Sequence, residues 1–187
     1  MLCGIDEAGR GPIAGPLSVA GAVIFKEIEG LNDSKVLSEK KRELLFDKIK
    51  DACHYHIVLT DAKTLDEKGL SACLKASIKE IMQTLDDKAS EFLMDGNTSF
   101  GITTLQHKIK ADATVQEVSA ASILAKVTRD RYMVDIAKEY PQYDFEKHKG
   151  YGTKAHMEKI KQHGRCEEHR KSFKLKALEE HNQPTLF

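Results

Sequence analysis

The sequence predicts an α/β protein: one domain with a central mixed sheet flanked by helices, followed by a small C-terminal helical extension. Three observations lead there. Two apolar runs near the N-terminus enclose a Gly/Pro-rich stretch, which reads as strand, loop, strand. Downstream, segments with apolar residues three and four apart alternate with short aliphatic runs. The length of 187 residues suits one core, with 41% hydrophobic content but 6% aromatic and no Trp. That core must rest on Leu, Ile, Val and Ala.

The elements follow in order. Residues 2–6 form a short apolar strand that stops at two acids, and residues 17–25 (LSVAGAVIF) form a second. Between them EAGRGPIAGP is loop. Residues 31–38 are loop, and Ser38 caps a helix over 39–52 that carries Leu44, Leu45, Phe46 and Ile49. Residues 55–60 read as strand. One long helix is expected from 64 or 65 to 85, since Leu70, Cys73, Leu74, Ile78, Ile81 and Met82 share a face. A brief strand over 91–94 ends at Asp95-Gly96-Asn97, and 104–110 is another strand. Residues 115–140 are helical, with Ala120, Ala121, Ser122 and Ala125 permitting close packing, and Pro141 ends the helix. A loop over 143–154 precedes a helix over 153–163 and a last helical piece over 172–180. The expected division is a core over 1–140, an extension over 141–181 that helps bind substrate, and a flexible tail over 182–187.

The formal net charge is +0, so nothing global marks the chain for a polyanion. Binding one needs charge segregated on one face. Cys3, Cys53, Cys73 and Cys166 form no CxxC pair, as in a reduced cytosolic protein. The N-terminus has no leader character and no apolar run approaches the ~18 residues of a membrane span. The expectation is a cytoplasmic monomer off the membrane.

Chemistry-bearing acids stand at comparable places: Asp6 and Glu7 after the first strand, Asp95 after the fourth, Asp112 after the fifth. Ligands of α/β sheets bind beyond the carboxyl ends of strands. Four carboxylates gathered there would repel, and a hard cation such as Mg²⁺ or Mn²⁺ relieves that repulsion. Each acid alone also fits a plain turn or cap. Asp6 and Glu7 share a site only if the chain bends between them, since strand neighbours face opposite sides.

Gly9-Arg10-Gly11-Pro12-Ile13-Ala14 formally matches a dinucleotide fingerprint, but Pro12, Gly15 and Pro16 forbid the helix it must open. Such a loop still lets backbone N–H groups approach a sugar-phosphate, with Arg10 adding charge, or it simply connects two strands. Lys126, Arg129, Lys147 and Lys149 are candidates for duplex phosphates, or else a solvated basic face. His163-x-x-Cys166-x-x-His169 has ligand spacing without an evident fourth ligand, which argues against structural zinc.

Gly4-Ile5-Asp6-Glu7-Ala8-Gly9-Arg10-Gly11-Pro12 resembles the opening motif of bacterial ribonuclease HII. The similarity continues through Leu31-Asn32-Asp33-Ser34-Lys35, Asp95-Gly96-Asn97, the run from Ala120 to Arg131 (AASILAKVTRDR), Gly150-Tyr151-Gly152-Thr153 and HRKSF at 169–173. Three departures are Ala111, where the family usually has Gly, Gln116, near which it usually has Pro, and Val36, where a second Lys is common. The resemblance implies a ribonuclease H-like fold and a metal site of Asp6, Glu7, Asp95 and Asp112 holding Mn²⁺ or Mg²⁺. It implies hydrolysis of RNA in RNA/DNA hybrids and cleavage 5′ of single ribonucleotides in duplex DNA, leaving 5′-phosphate and 3′-hydroxyl ends by two-metal catalysis. Gly9, Arg10 and Gly11 would sense the 2′-hydroxyl, and Tyr151 would stack on the next deoxyribose. The terminal Gln183-Pro184-Thr185-Leu186-Phe187 resembles the peptide by which bacterial proteins dock on the sliding clamp, through Gln183, Leu186 and Phe187. A DNA-only nuclease or strand-transfer enzyme on the same fold, and a non-catalytic hybrid-binding adaptor, are the rival functions.

Overall fold

The computed structural model describes residues 1–31 and 37–174. Residues 32–36, the helical piece expected beyond 174, and the tail with Gln183, Leu186 and Phe187 lie outside the described residues. Five strands form one mixed sheet: β1 (Leu2–Ala8), β2 (Leu17–Ile24), β3 (Cys53–Thr60), β4 (Glu91–Asp95) and β5 (Leu105–Lys108), in the order β3-β2-β1-β4-β5. β1 runs antiparallel to β2 and parallel to β4. Parallel pairing needs a crossover, and α1 (Glu39–Ala52), α2 (Ala62–Lys68) and α3 (Leu70–Thr84) lie within it.

The alternation of side chains decides which helix covers which face. Cys3, Ile5, Val19 and Val23 point into a core with Leu74, Ile78 and Ile81 of α3. Ala20 and Ala22 point the other way, against Leu45 and Ile49 of α1 and Ala120, Ala121 and Leu124 of α4 (Gln116–Glu139). Each fully buried Ile or Leu stabilises the fold by about 1.5–3 kcal/mol relative to exposure. β2, buried along almost its whole length, reads as a continuous apolar run because both its faces are covered.

Gly4 sets how closely α4 can approach. A Cβ there would fall 2.2 Å from the backbone of Glu117 and Val118. The small residues of α4 and the bare backbone of β1 therefore meet directly. This contact places the first turns of α4 beside the end of β1.

The expected single helix over 64–85 is two helices. Gly69, at φ 81° and ψ 149°, donates its N–H to Leu65 O and closes α2, while its carbonyl receives the Cys73 N–H and starts α3. The apolar spacing is the same on both sides of the break, so periodicity alone carried no sign of it. Asp61 caps α2 by accepting the Thr64 N–H at 2.6 Å, and Ser38 caps α1 as its position in the sequence predicts.

Beyond Tyr140 the chain forms a 3₁₀ turn (Pro141–Tyr143), the single-turn helix α5 (Phe145–His148) and the ten-residue helix α6 (Lys154–His163), the last close to its expected bounds. Ala14, Met133, Ile136, Tyr143, Phe145 and Ile160 make a third apolar cluster. The last described segment returns to the glycine loop: Ala14 bridges His169, Gly15 N donates to Glu168 O, and Arg170 N donates to Ile13 O. Among the described residues no helix is long and apolar enough to cross a membrane.

Candidate active site

Asp6 lies on β1 and is 7% exposed. It faces α4, where the Ser122 side chain favours the charged form of its carboxylate. β1 and β4 are parallel with Ile5 opposite Met94, so Asp95 follows as the neighbour of Asp6 on the same face. One Asp95 oxygen accepts the Ala111 N–H at 2.9 Å. That bond anchors a 3₁₀ turn, Ala111–Ala113, which carries Asp112. Asp112 in turn lines a hollow of about 170 Å³ together with Arg42, Ser119, Ser122 and Lys126. Ser122 thus lies between Asp6 and Asp112.

Glu7 arrives differently. β1 stays paired to β2 through Ala8, so the expected bend is absent, yet the Asp95 charge acts on both Asp6 and Glu7, which places the two carboxylates near one another without it. Their link is short all the same: Glu7 N donates to Asp6 Oδ1 at 2.8 Å. Arg10, half exposed at the rim, approaches one Glu7 oxygen at 3.1 Å. The other, Oε2, is buried without a hydrogen-bond partner.

The electrostatics match this crowding. Burial pushes the Asp6 carboxyl up to about 8, and the neighbouring Glu7 and Asp95 charges push the same way while Ser122 opposes. Burial also raises Glu7, opposed by Arg10. Among the described residues no three His, Cys, Asp or Glu side chains form a ready set of metal ligands. The donor chemistry nevertheless fits a hard divalent ion. Every donor is a carboxylate oxygen, and a buried oxygen of Glu7 lacks any partner.

Beside the acids the chain turns at Gly9, whose φ is +101° and where a Cβ would meet Arg129 Nε at 2.4 Å. Only glycine suits that position. The loop is then pinned to the segment bearing Tyr151: Ile13 N and Ala14 N both donate to Gly150 O, at 2.9 and 3.2 Å. The Tyr151 ring, 44% exposed, stands 4.0 Å from where a Gly11 Cβ would be. The glycine loop and the tyrosine therefore present one surface next to Asp6 and Glu7.

The basic residues need correction. Arg129 is 1% exposed. Its guanidinium donates to Pro16 O, Lys149 O and Ala14 O at 2.9, 2.9 and 3.0 Å. It is an internal clamp between two loops and is not available to a phosphate. The fork geometry that suits arginine for phosphate also suits three carbonyls, so residue type did not separate the roles. Lys149 also turns inward, its Nζ donating to Glu146 O at 2.6 Å. Lys126, on the rim of the Asp112 hollow, pairs with Asp130, and Lys147 is well exposed beside Asp144.

Sequence reasoning took Ser122 as a packing residue and passed over Arg42. In a run of Ala and Ser on a buried helix, nothing local separates a spacer from a hydrogen-bond donor. It also missed the part His169 plays. The ring uses both nitrogens on neighbours, accepting the Cys166 N–H at Nδ1 and meeting His156 at Nε2.

A family model described as Ribonuclease HII matches residues 3–176. The ribonuclease HII of Aliarcobacter butzleri is 65% identical over 100% of this chain and 98% of its own length. Among solved structures, the ribonuclease HII in a complex with PCNA from Archaeoglobus fulgidus superposes with a TM-score of 0.80 at 29% identity, covering 94% of this chain and 96% of that one. The ribonuclease H2 of Pyrococcus horikoshii gives 0.75 at 31% identity, covering 92% and 93%. The sheet order, the acids at the strand ends and these likenesses agree, and the chain belongs to the ribonuclease HII family, metal-dependent enzymes with ribonuclease H activity on RNA/DNA hybrids.

Proposed function

We propose that the chain hydrolyses the RNA strand of RNA/DNA hybrids and also cuts 5′ of a single ribonucleotide embedded in duplex DNA. The observation that supports this reading is the adjacency of the acids to the surface made by Gly9, Arg10, Gly11 and Tyr151. A nuclease for DNA alone has no 2′-hydroxyl to sense and gains nothing from a glycine loop built to approach a sugar. Asp6, Glu7, Asp95 and Asp112 would hold Mn²⁺ or Mg²⁺. A bound pair of such ions supplies an activated water and neutralises the leaving oxygen, giving 5′-phosphate and 3′-hydroxyl ends.

The remaining work falls to the chain. Ser122 favours the charged form of Asp6, and the turn anchored on Asp95 presents Asp112. The backbone of residues 9–11 would donate to the 2′-hydroxyl of the ribonucleotide, with Arg10 adding charge at the rim. Tyr151 would pack on the following deoxyribose, and Lys126 and Lys147 would position the duplex through phosphates, without reading sequence.

The test uses three duplexes in Mg²⁺ or Mn²⁺: one with a single ribonucleotide, one uninterrupted hybrid and one of DNA alone. Cleavage of the first two, lost in EDTA, with the DNA duplex intact, is expected. Equal cutting of DNA would install the DNA-nuclease reading, and binding without cutting would install the adaptor. We further propose a cytoplasmic monomer that docks on the bacterial sliding clamp through Gln183, Leu186 and Phe187. Clamp retention unchanged by deletion of 183–187 would refute the docking.

A further inference from the structure

Behind Tyr151 lie three histidines whose protonation states the hydrogen bonds dictate. His156, fully buried, faces the Tyr151 carbonyl with Nδ1 at 2.9 Å. A carbonyl only accepts, so Nδ1 carries the proton. His169 Nδ1 accepts the Cys166 N–H at 2.9 Å, so its own proton sits on Nε2. That N–H meets the bare Nε2 of His156 at 3.1 Å. The chain of bonds runs in one direction, Cys166 to His169 to His156 to the Tyr151 carbonyl, with both rings neutral. His148 stacks on His156 with ring centroids 4.1 Å apart. It donates to Tyr143 O and accepts the Gly150 N–H.

These rings do not stop at holding one another. His169 bridges Ala14, and Ala14 N donates to Gly150 O. The relay thus closes a circuit between the glycine loop and the backbone that carries Tyr151. We infer that His156 is a positioning residue: through the Tyr151 carbonyl it sets where the tyrosine ring stands relative to Gly11, and so sets the preference for an RNA-to-DNA junction over an uninterrupted hybrid.

This rests on the proposed role of Tyr151. A ring packed on a sugar accepts the apolar 2′-carbon of deoxyribose, whereas a 2′-hydroxyl buried there without a partner loses its hydrogen bonding. Such discrimination depends on the ring's exact height over the sugar, which the backbone at 150–151 controls. His156 need not touch the substrate to affect it. The Thr153 N–H also donates to Tyr151 O, at 2.8 Å, so the turn survives loss of the imidazole while its position relaxes.

The experiment measures kcat and KM on the single-ribonucleotide duplex and on the uninterrupted hybrid for wild type, His156→Ala, His156→Asn, His156→Gln, Tyr151→Ala and His156→Ala/Tyr151→Ala. The amide nitrogen of Asn overlays Nδ1 and that of Gln overlays Nε2. His156→Ala is expected to lower the ratio of junction to hybrid kcat/KM by about tenfold, the size of one hydrogen bond's net contribution. His156→Asn should keep the ratio within about threefold and His156→Gln should lose it. In the Tyr151→Ala background His156→Ala should add nothing further to the ratio, because both changes act through one ring. Equal losses on both substrates, multiplicative effects in the double variant, or Asn behaving as Gln would overturn the inference. Should His156→Ala not fold, the Asn and Gln pair decides alone. A wild-type protein that cuts neither substrate would instead defeat the proposed function.

Discussion

Arg129 stands for what single residues do in this molecule. One guanidinium, buried, binds the carbonyls of Ala14, Pro16 and Lys149, and its face lies 5.9 Å from the Tyr151 ring. Removing it leaves three buried acceptors and a void where two loops meet, so Arg129→Met should cost about 3 kcal/mol or more in urea unfolding. Arg129→Lys should recover little, since one ammonium cannot reach three carbonyls in a plane. A lysine variant with wild-type stability would show that the clamp is dispensable. The same residue marks the limit of sequence reading. Asp6, Glu7, Asp95 and the glycine loop stood out in the sequence because each is an acid or a glycine turn at the close of an apolar run. Arg129 lies in the middle of a helix, where only the fold reveals whether its head is in water or among carbonyls.

The elements were legible wherever local periodicity and burial coincided. β2, α1 and α4 fall within a residue or so of their expected bounds. The split at Gly69 did not show, because a glycine inside an apolar repeat is read as a weak helix residue until its φ is known. Nor did the true end of β1: a strand end was expected near residue 6, but pairing with β2 carries β1 on to Ala8. The contact that most controls the site is β1 against α4. Gly4→Ala would drive a methyl into the backbone at Glu117 and Val118. Helix backbone cannot rotate aside, so the variant should lose about 2–3 kcal/mol and shift α4, with Ser122, away from Asp6. Reduced cleavage accompanied by a lowered urea midpoint is the expected result. Unchanged stability would mean that α4 is free to slide.

Across the whole molecule, the pH dependence of folding should report the histidine relay. Burial pushes His156 and His169 down to about 4 from the ordinary 6.5. Their contribution is fully present above 6.5, where both states are neutral, and is lost as pH falls through about 4, because the unfolded chain binds protons the native rings refuse. Urea midpoints between pH 7 and 4 should therefore fall on acidification, less steeply for His156→Asn. Equal slopes would place the acid sensitivity elsewhere. Zero net charge offered no guide to function. Cleavage requires carboxylates from remote parts of the chain to work as one cation site. The most direct test of that requirement is the cleavage rate, in Mn²⁺, of a duplex carrying one ribonucleotide, for wild type and for Asp6→Asn, Glu7→Gln, Asp95→Asn and Asp112→Asn. Each variant is expected to fold, by circular dichroism, and to lose about a hundredfold or more in rate, as removal of a shared ligand requires. An Asp6, Glu7 or Asp95 variant that cuts at nearly the wild-type rate would contradict it.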